Sequence, residues 1–131
     1  MEAPAANPSG AKTRLLLIEA DLTLRAERAA VLEGAGYLVR QVAGLPAAEE
    51  LAETDVILAD PISFEWLREH NVAAPIVVLT DDLKAGIAAC LCGAADWVPL
   101  RGRQEYLLDA VREITTVRVR APRSAESSRR P

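Results

Sequence analysis

The segment Val56-Ile57-Leu58-Ala59, followed at once by Asp60-Pro61, is the stretch that decides the fold. A continuous apolar run without polar alternation is typical of a strand that is buried on both faces of a parallel sheet. The runs Leu15-Leu16-Leu17-Ile18 and Ile76-Val77-Val78-Leu79 repeat this pattern. We therefore predict three buried strands, of which the one at Val56 ends where Asp60 and Pro61 favour a turn.

Segments of helical character separate these apolar runs along the chain. Asp21 is a suitable helix N-cap, and apolar residues recur at helical spacing over residues 22–35. Thr80-Asp81-Asp82 predicts the start of another helix, which runs to Leu91. The remaining predicted elements are strands at residues 37–42 and 97–98 and helices at residues 46–53, 64–69 and 104–114.

Five strands that alternate with five helices predict an α/β domain with a doubly wound five-stranded parallel sheet. In such sheets the functional groups gather at the carboxyl ends of the strands. The residues at those ends are Glu19, Ala20 and Asp21 after the first strand, Asp60 after the third, Thr80 after the fourth and Leu100 after the fifth.

The chain has 131 residues, half of them apolar, which suits one domain with a single core. We expect a disordered leader over residues 1–12, an ordered domain over 13–116 and a basic disordered tail over 117–131. No apolar stretch is long enough to span a bilayer, and the N-terminus lacks the pattern of a secretory signal. The sequence therefore predicts a cytoplasmic protein without a membrane partner.

Charge and cysteine usage narrow the function classes further. The net charge is −4, but the last fifteen residues hold five arginines against one glutamate, so the rest of the chain carries about −8. An acidic domain argues against nucleic-acid binding, except as a weak role of the tail. Cys90 and Cys92 are two apart on a predicted helix, so we interpret them as small core or near-core residues. With one histidine, the sequence offers no zinc site.

In the order and spacing of its strand-end motifs, the chain resembles the receiver domains of bacterial two-component response regulators, of the chemotaxis-regulator type. The segments that carry the resemblance are residues 15–21, 54–61, 75–80 and 93–98, and the match extends over about residues 14–116. The resemblance implies the flavodoxin-like (βα)5 receiver fold. It also implies a function in phosphorelay signal transduction, in which the domain itself is not an enzyme beyond phosphorylation and dephosphorylation of its own aspartate.

The family's chemistry explains which residue types stand at the strand ends. An aspartate after the third strand becomes an acyl phosphate, and Mg²⁺ is held by that aspartate and an acidic pair after the first strand. A Thr or Ser after the fourth strand and a Lys after the fifth bind the phosphoryl oxygens. The resemblance thus implies Asp60 as phosphoacceptor, Thr80 as the phosphate-contacting hydroxyl, and Trp97 at the place of an aromatic residue that switches on activation.

The sequence departs from this pattern in three respects. Ala20 stands at the second acidic position, so a metal could be held only by Glu19 and Asp21, and Asp21 is one residue late. Leu100 stands at the place of the lysine, with Arg101 as a candidate replacement one residue later. Twenty positions separate Asp60 from Thr80, about ten fewer than is usual, so the third helix and its leading loop must be short.

These departures indicate a degenerate receiver, or pseudo-receiver, that acts mainly through protein–protein interaction. The expected docking surface is the last two helices and the strand between them, about residues 83–114. The partner would be a histidine kinase, a phosphotransfer protein, an effector or a second copy of the chain. The alternative is a functional single-domain regulator that is phosphorylated on Asp60 with Mg²⁺. A nucleotide-binding enzyme is disfavoured, because no glycine-rich loop follows the first strand.

Overall fold

Five parallel strands form the centre of the molecule. A computed structural model describes residues 12–120 of the chain, with side chains to residue 116. The sheet order is β2-β1-β3-β4-β5, and every neighbouring pair is parallel. This is the doubly wound arrangement predicted from the apolar runs. The strands are β1 (Arg14–Ile18), β2 (Leu38–Val42), β3 (Val56–Ala59), β4 (Ile76–Leu79) and β5 (Asp96–Val98).

One helix follows each strand, and three of the helices begin at an aspartate N-cap. Asp21, Asp60 and Asp82 each accept a hydrogen bond from a backbone N–H in the first turn of their helix. Such caps satisfy donors that have no partner within the helix. The helices are α1 (Leu22–Gly34), α2 (Ala48–Ala52), α3 (Pro61–Glu69), α4 (Leu83–Leu91) and α5 (Gln104–Arg120).

Two helix boundaries differ by more than two residues from those predicted. Helix α3 begins at Pro61 rather than at residue 64, because Pro61 takes a first-turn position, where its missing N–H costs nothing. Helix α5 continues past residue 114 to Arg120, the last residue that the structure describes, and so includes the first four residues of the predicted tail. The rest of the predicted tail and residues 1–11 of the predicted leader lie outside the described residues.

Two apolar clusters cover the two faces of the sheet. One joins β1, β3 and β4 to α1 and α5, and it includes Leu17, Leu58, Leu32 and Val111, all fully buried. The other covers the opposite face with α3 and α4, through Leu67 and Ala89 among others. Because β1, β3 and β4 are covered on both sides, each of their core residues is almost inaccessible to solvent.

A polar contact fastens helix α1 to the segment after β5. The Arg28 guanidinium, with its side chain only 11% exposed, donates to the carbonyl oxygen of Leu100. The aliphatic stem of Arg28 can be buried while its charged end meets a polar acceptor. The β5–α5 connection is therefore held against α1 at the carboxyl edge of the sheet.

The two cysteines were interpreted wrongly. Cys90 and Cys92 are both exposed, because the buried face of α4 is formed by Gly86 and Ala89. Among the described helices, none combines the length and the apolar character needed to cross a membrane.

Candidate functional site at the carboxyl edge of the sheet

The carboxyl ends of β1, β3 and β4 are neighbours in the sheet, so the residues that follow them meet at one edge. Asp60 follows β3 and is half-buried, and Thr80 follows β4 and is buried, with 9% exposure. Ala59 and Val78 are register partners, which places the ends of these two strands side by side. Asp60 and Thr80 therefore lie at adjacent strand ends, as the sequence predicted.

Both carboxylate oxygens of Asp60 accept hydrogen bonds from one residue. The Ser63 N–H donates to Asp60 Oδ1 at 2.7 Å, and the Ser63 hydroxyl donates to Asp60 Oδ2 at 3.2 Å. Ser63 is itself buried, so its N–H and hydroxyl have little access to water. Asp60 is thus part of the start of α3, with no loop between strand and helix.

The acidic residues after β1 serve their own loop. Glu19 Oε2 accepts from the Asp21 N–H at 2.9 Å, and Asp21 Oδ1 accepts from the Leu24 N–H at 2.9 Å. Arg25 Nη1 donates to the backbone carbonyl of Glu19 at 2.7 Å. Ala20, between the two acids, supplies no oxygen ligand from its side chain.

The polar side chains after β4 also accept hydrogen bonds from the backbone of their own segment. Thr80 Oγ1 accepts from the Asp82 N–H at 3.1 Å. Asp82 Oδ1 in turn accepts from the Lys84 and Ala85 N–H groups at 3.0 and 3.3 Å. The Thr80 hydroxyl therefore helps to position the start of α4, which is the local capping role common for such residues.

Trp97 connects β5 to the ends of β4 and α4. Its Nε1–H donates to the carbonyl oxygen of Thr80 at 2.9 Å. Its ring lies against Gly86, where a Cβ atom would come within 3.0 Å of three ring atoms. Trp97 is half-buried and held from two sides, so in this structure it packs against the domain rather than presenting a free aromatic face.

The end of β5 lacks a cation directed at Asp60. Leu100 packs against the apolar cluster on the α1 and α5 face. Arg101, the candidate replacement for the lysine, pairs instead with Asp81, with Nη1 and Oδ2 at 3.1 Å. The Arg101 backbone N–H also donates to Asp81, and this bond is the main reason why the pKa of Asp81 is lowered. Arg101 is therefore engaged in the loop after β4.

The carboxylates of this edge are not grouped into a ready-made magnesium site. Within the part of the chain whose side chains are described, no three His, Cys, Asp or Glu side chains are grouped to hold a metal ion. Glu19, Asp21 and Asp60 each accept a hydrogen bond from the backbone of their own segment. Mg²⁺ is usually held by one or two carboxylates and several waters, so a site here would need two of these carboxylates to turn toward one point.

Sequence analysis missed three residues that shape this edge: Ser63, Gly86 and Arg28. Ser63 follows Asp60 by three positions, the spacing of an N-cap residue and its N3 partner, so that pattern could have identified it. Gly86 and Arg28 carry no local signal. Their partners, Trp97 and Leu100, are distant in sequence and meet them only in the folded chain.

We expect Asp60→Ala to lower the free energy of unfolding by about 1 kcal/mol, because the cap of α3 is lost. Asp60→Asn should leave stability nearly unchanged, since the amide oxygen of asparagine can accept from the Ser63 N–H. Urea unfolding of both variants at neutral pH measures the difference. Equal losses in the two variants would show that the negative charge of Asp60, rather than its acceptor oxygen, stabilises the domain.

Comparison with solved structures identifies the class of fold. The chain is similar to a response regulator from Chloroflexus aurantiacus, with 26% identity, a TM-score of 0.65, and 80% of this chain and 98% of that one covered. It is also similar to a CheY-like receiver domain from Methanospirillum hungatei, at 17% identity, 86% and 100% coverage and a TM-score of 0.68. No family model matches the chain, and no curated protein matches it in sequence.

A third similar structure is the chemotaxis protein CheY4 of Vibrio cholerae, with 23% identity, a TM-score of 0.62, and 79% of this chain and 99% of that one covered. The chain therefore has the flavodoxin-like receiver fold of two-component response regulators. The fold alone does not imply a function. The function must therefore be argued from the residues at the carboxyl edge of the sheet.

Proposed function

We propose that this protein is a signalling module of the receiver fold that works in the cytoplasm by protein–protein contact and not by phosphorylation of Asp60. One observation carries the proposal: the carboxylates of Glu19, Asp21, Asp60 and Asp82 all accept hydrogen bonds from the backbone of the helix or loop that they begin. At the edge where receivers are phosphorylated, the carboxylates of this chain instead accept hydrogen bonds from the backbone of their own helices and loops. No enzymatic turnover is proposed.

Electrostatics support this interpretation. Two unit charges about 4 Å apart interact by about 4 kcal/mol at an effective dielectric constant near 20. Leu100 and Ala20 remove one cation and one metal-ligating acid from the family's pattern, so an acyl phosphate on Asp60 would lack several kcal/mol of gross stabilisation. An acyl phosphate takes one carboxylate oxygen, so it would also weaken one of the two hydrogen bonds from Ser63 at the start of α3.

The docking surface that we propose is the α4–β5–α5 face. Leu83, Ile87 and Leu91 recur every four residues along α4 and are 60%, 47% and 83% exposed. Residues spaced in this way share one side of a helix. Lys84 is the single charged residue of α4. This stripe of three aliphatic side chains, the α4 stripe, is an exposed apolar patch of the kind that marks protein contacts.

The occupant that we propose for this face is a second copy of the chain. Tyr106 on α5 is half-exposed, and the charged residues in and just before α5 have both signs: Arg103 pairs with Glu105, and Arg112 pairs with Asp109. A two-fold interface brings one surface against itself, so it tolerates balanced charges better than a surface of one sign. The apolar stripe of α4 and the balanced charges of α5 are therefore compatible with a two-fold contact between copies.

The alternative function, phosphorylation on Asp60 with Mg²⁺, draws on one observation. Asp60 and Thr80 do lie at adjacent strand ends, as phosphoacceptor and phosphate contact would. The two proposals differ in what a phosphate analogue should do, and Trp97 is well placed to report it, because its indole N–H is bonded to the Thr80 carbonyl.

The test is a titration of the full chain with Mg²⁺ and beryllofluoride, a mimic of the acyl phosphate, followed by tryptophan fluorescence. A Trp66→Phe background leaves Trp97 as the one tryptophan. We expect no saturable change, and the same result in Asp60→Asn. A saturable, Mg²⁺-dependent change that is lost in Asp60→Asn would establish the alternative and overturn our proposal.

A further inference from the structure

We propose a ligand site that is separate from the carboxyl edge and from the α4–β5–α5 face: a cleft at the amino edge of the sheet binds a free aliphatic α-amino acid in its zwitterionic form. The cleft has a volume of about 650 Å³. Small-molecule sites typically have volumes of about 300–1,000 Å³. The cleft lies over the first residues of β1 and β2, between the last turns of α1 and α2.

The cleft exists because the strand β2 is poorly covered. β2 is the outermost strand on one side of the sheet, and none of its five residues is fully buried. The helix that follows it, α2, has only five residues and shields little of the strand. As a result, Leu38 at the start of β2 is 49% exposed. An aliphatic surface therefore remains open among the charged residues of the cleft.

Two arginines lie on the floor of the cleft. Arg14 and Leu38 are register partners at the starts of β1 and β2, and Arg40 follows two residues later in β2. Leu16 and Val42 pack into the apolar cluster that α3 and α4 cover. Residues two apart in a strand share a face, so Arg14 and Arg40 lie on that same side of the sheet. From the strand spacings, their Cα atoms are about 8 Å apart.

The two guanidinium groups have opposite charges nearby but few hydrogen bonds. Arg40 Nη1 lies 3.7 Å from Glu50 Oε2, and Arg40 Nη2 lies 3.9 Å from Glu53 Oε1. Both distances are too long for a hydrogen bond. Arg14 directs its Nε to Asp55 Oδ2, at 3.5 Å. Among residues 12–116, the two guanidinium groups therefore keep N–H donors that a ligand can use.

The signs of the charges select a dipolar ligand. The ionisable side chains that line the cleft are three bases and three acids: Lys12, Arg14, Arg40, Glu33, Glu50 and Glu53. A purely anionic ligand would meet the acids, and a purely cationic ligand would meet the bases, so neither would gain a net attraction. A ligand with one charge of each sign can place each charge beside its opposite.

The spacing of the charges points to an α-amino acid. The opposite charges at Arg40 and Glu53 are separated by 3.9 Å, so a matching ligand needs its own charges close together. In an α-amino acid the ammonium nitrogen and the carboxyl carbon are joined through one Cα and lie roughly 2.5 Å apart. The carboxylate would accept from Arg40 and the ammonium would donate to Glu53. An aliphatic side chain would then cover the exposed part of Leu38.

The probe for this cleft is L-leucine, titrated into the ¹⁵N-labelled full chain and followed by NMR. N-acetyl-L-leucine, which lacks the ammonium charge, and L-leucinamide, which lacks the carboxylate, are the controls. We expect saturable shifts from L-leucine at residues 12–15, 37–40 and 53–54. Each control should bind at least about tenfold more weakly, because it loses a charge-assisted hydrogen bond.

Two matched variants test whether the cleft is the site. The side chains of Arg40 and Arg68 are 56% and 45% exposed, and both lie near a glutamate, but Arg68 is on α3 and outside the cleft. Arg40→Gln should weaken binding of L-leucine at least about tenfold. Arg68→Gln should leave the affinity unchanged. Both ion pairs are at the surface, so neither change should unfold the domain.

The absence of a saturable shift at tens of millimolar L-leucine would overturn the proposal. Equal binding of L-leucine and either control, or equal effects of the two variants, would also overturn it. The residues that line the cleft belong neither to the carboxyl edge nor to the α4–β5–α5 face. Phosphorylation and self-association are measured separately, so failure of this inference leaves the proposed function intact.

Discussion

Replacing Gly86 by alanine should lower the free energy of unfolding by about 2 kcal/mol, although alanine is the better helix former. The added Cβ would come within 3.0 Å of three ring atoms of Trp97. The indole must therefore move, which strains its hydrogen bond to the Thr80 carbonyl. Overpacking of this kind costs about 1–3 kcal/mol and here outweighs a helix-propensity gain of about 1 kcal/mol. Urea unfolding monitored by circular dichroism measures the change.

The chain offers a matched control in Gly34→Ala. Gly34 is also a helical glycine, at the end of α1, but a Cβ there would meet no heavy atom within 4 Å. This variant should be as stable as the parent or slightly more so. In a Trp97→Ala background the Gly86→Ala substitution should no longer destabilise, because the two changes share one contact. An equal loss with and without the indole would refute the proposed clash.

Leu91→Asp should weaken self-association of the protein by at least about 100-fold. If the α4 stripe forms a two-fold interface, each dimer loses two leucine contacts, each worth about 1.5–3 kcal/mol. Together they correspond to a factor of about 10² to 10⁴ in the dissociation constant. Leu91 is 83% exposed, so the monomer should keep its stability. Sedimentation velocity over a concentration series measures the constant.

Ile62→Asp is the control for this prediction. Ile62 has the same exposure as Leu91 but lies at the start of α3, where an acidic residue suits the positive end of the helix dipole. It should leave self-association unchanged. A parent protein that remains monomeric at millimolar concentration, or equal weakening by both variants, would contradict the two-fold interface on α4.

Much of the fold could be predicted from the sequence, because its strands are of the simplest kind. The predicted bounds of β3 and β4 agree with the structure, because a short, fully apolar run between polar residues is typical of a strand buried on both faces of the sheet. The start of α3 could not be placed as well. Asp60-Pro61 is compatible both with a turn and with a capped helix, and the buried Ser63 decides for the helix.

The position of the candidate site could be predicted from the sequence, but the hydrogen-bond partners of its side chains could not. Parallel strands bring their carboxyl ends to one edge, so the placement of Asp60 beside Thr80 follows from topology. Whether those groups face a ligand or their own backbone depends on hydrogen bonds. The partners in these bonds are set by several residues together, so no single sequence position reveals them. Here the Thr80 hydroxyl accepts from Asp82, and Arg101 turns to Asp81.

The exposed residues of α4 are a second case in which the sequence does not predict the role that the structure shows. Leu83, Ile87 and Leu91 are as apolar as core residues, and the sequence predicts Cys90 and Cys92 in or near the core. In the structure Gly86 and Ala89 form the buried face, because the Trp97 ring leaves room there only for small side chains. Hydrophobicity by itself therefore does not separate an inward apolar face from an outward one.

The sequence alone determined the class of fold and the order of the strands along the chain. Those features depend on local residue type and periodicity, which act over a few positions. Only the tertiary structure decided that the acids at the carboxyl edge are helix caps and that α4 exposes an apolar stripe. The reason is physical: a cap needs the geometry of a particular helix start, and exposure depends on what packs from distant parts of the chain.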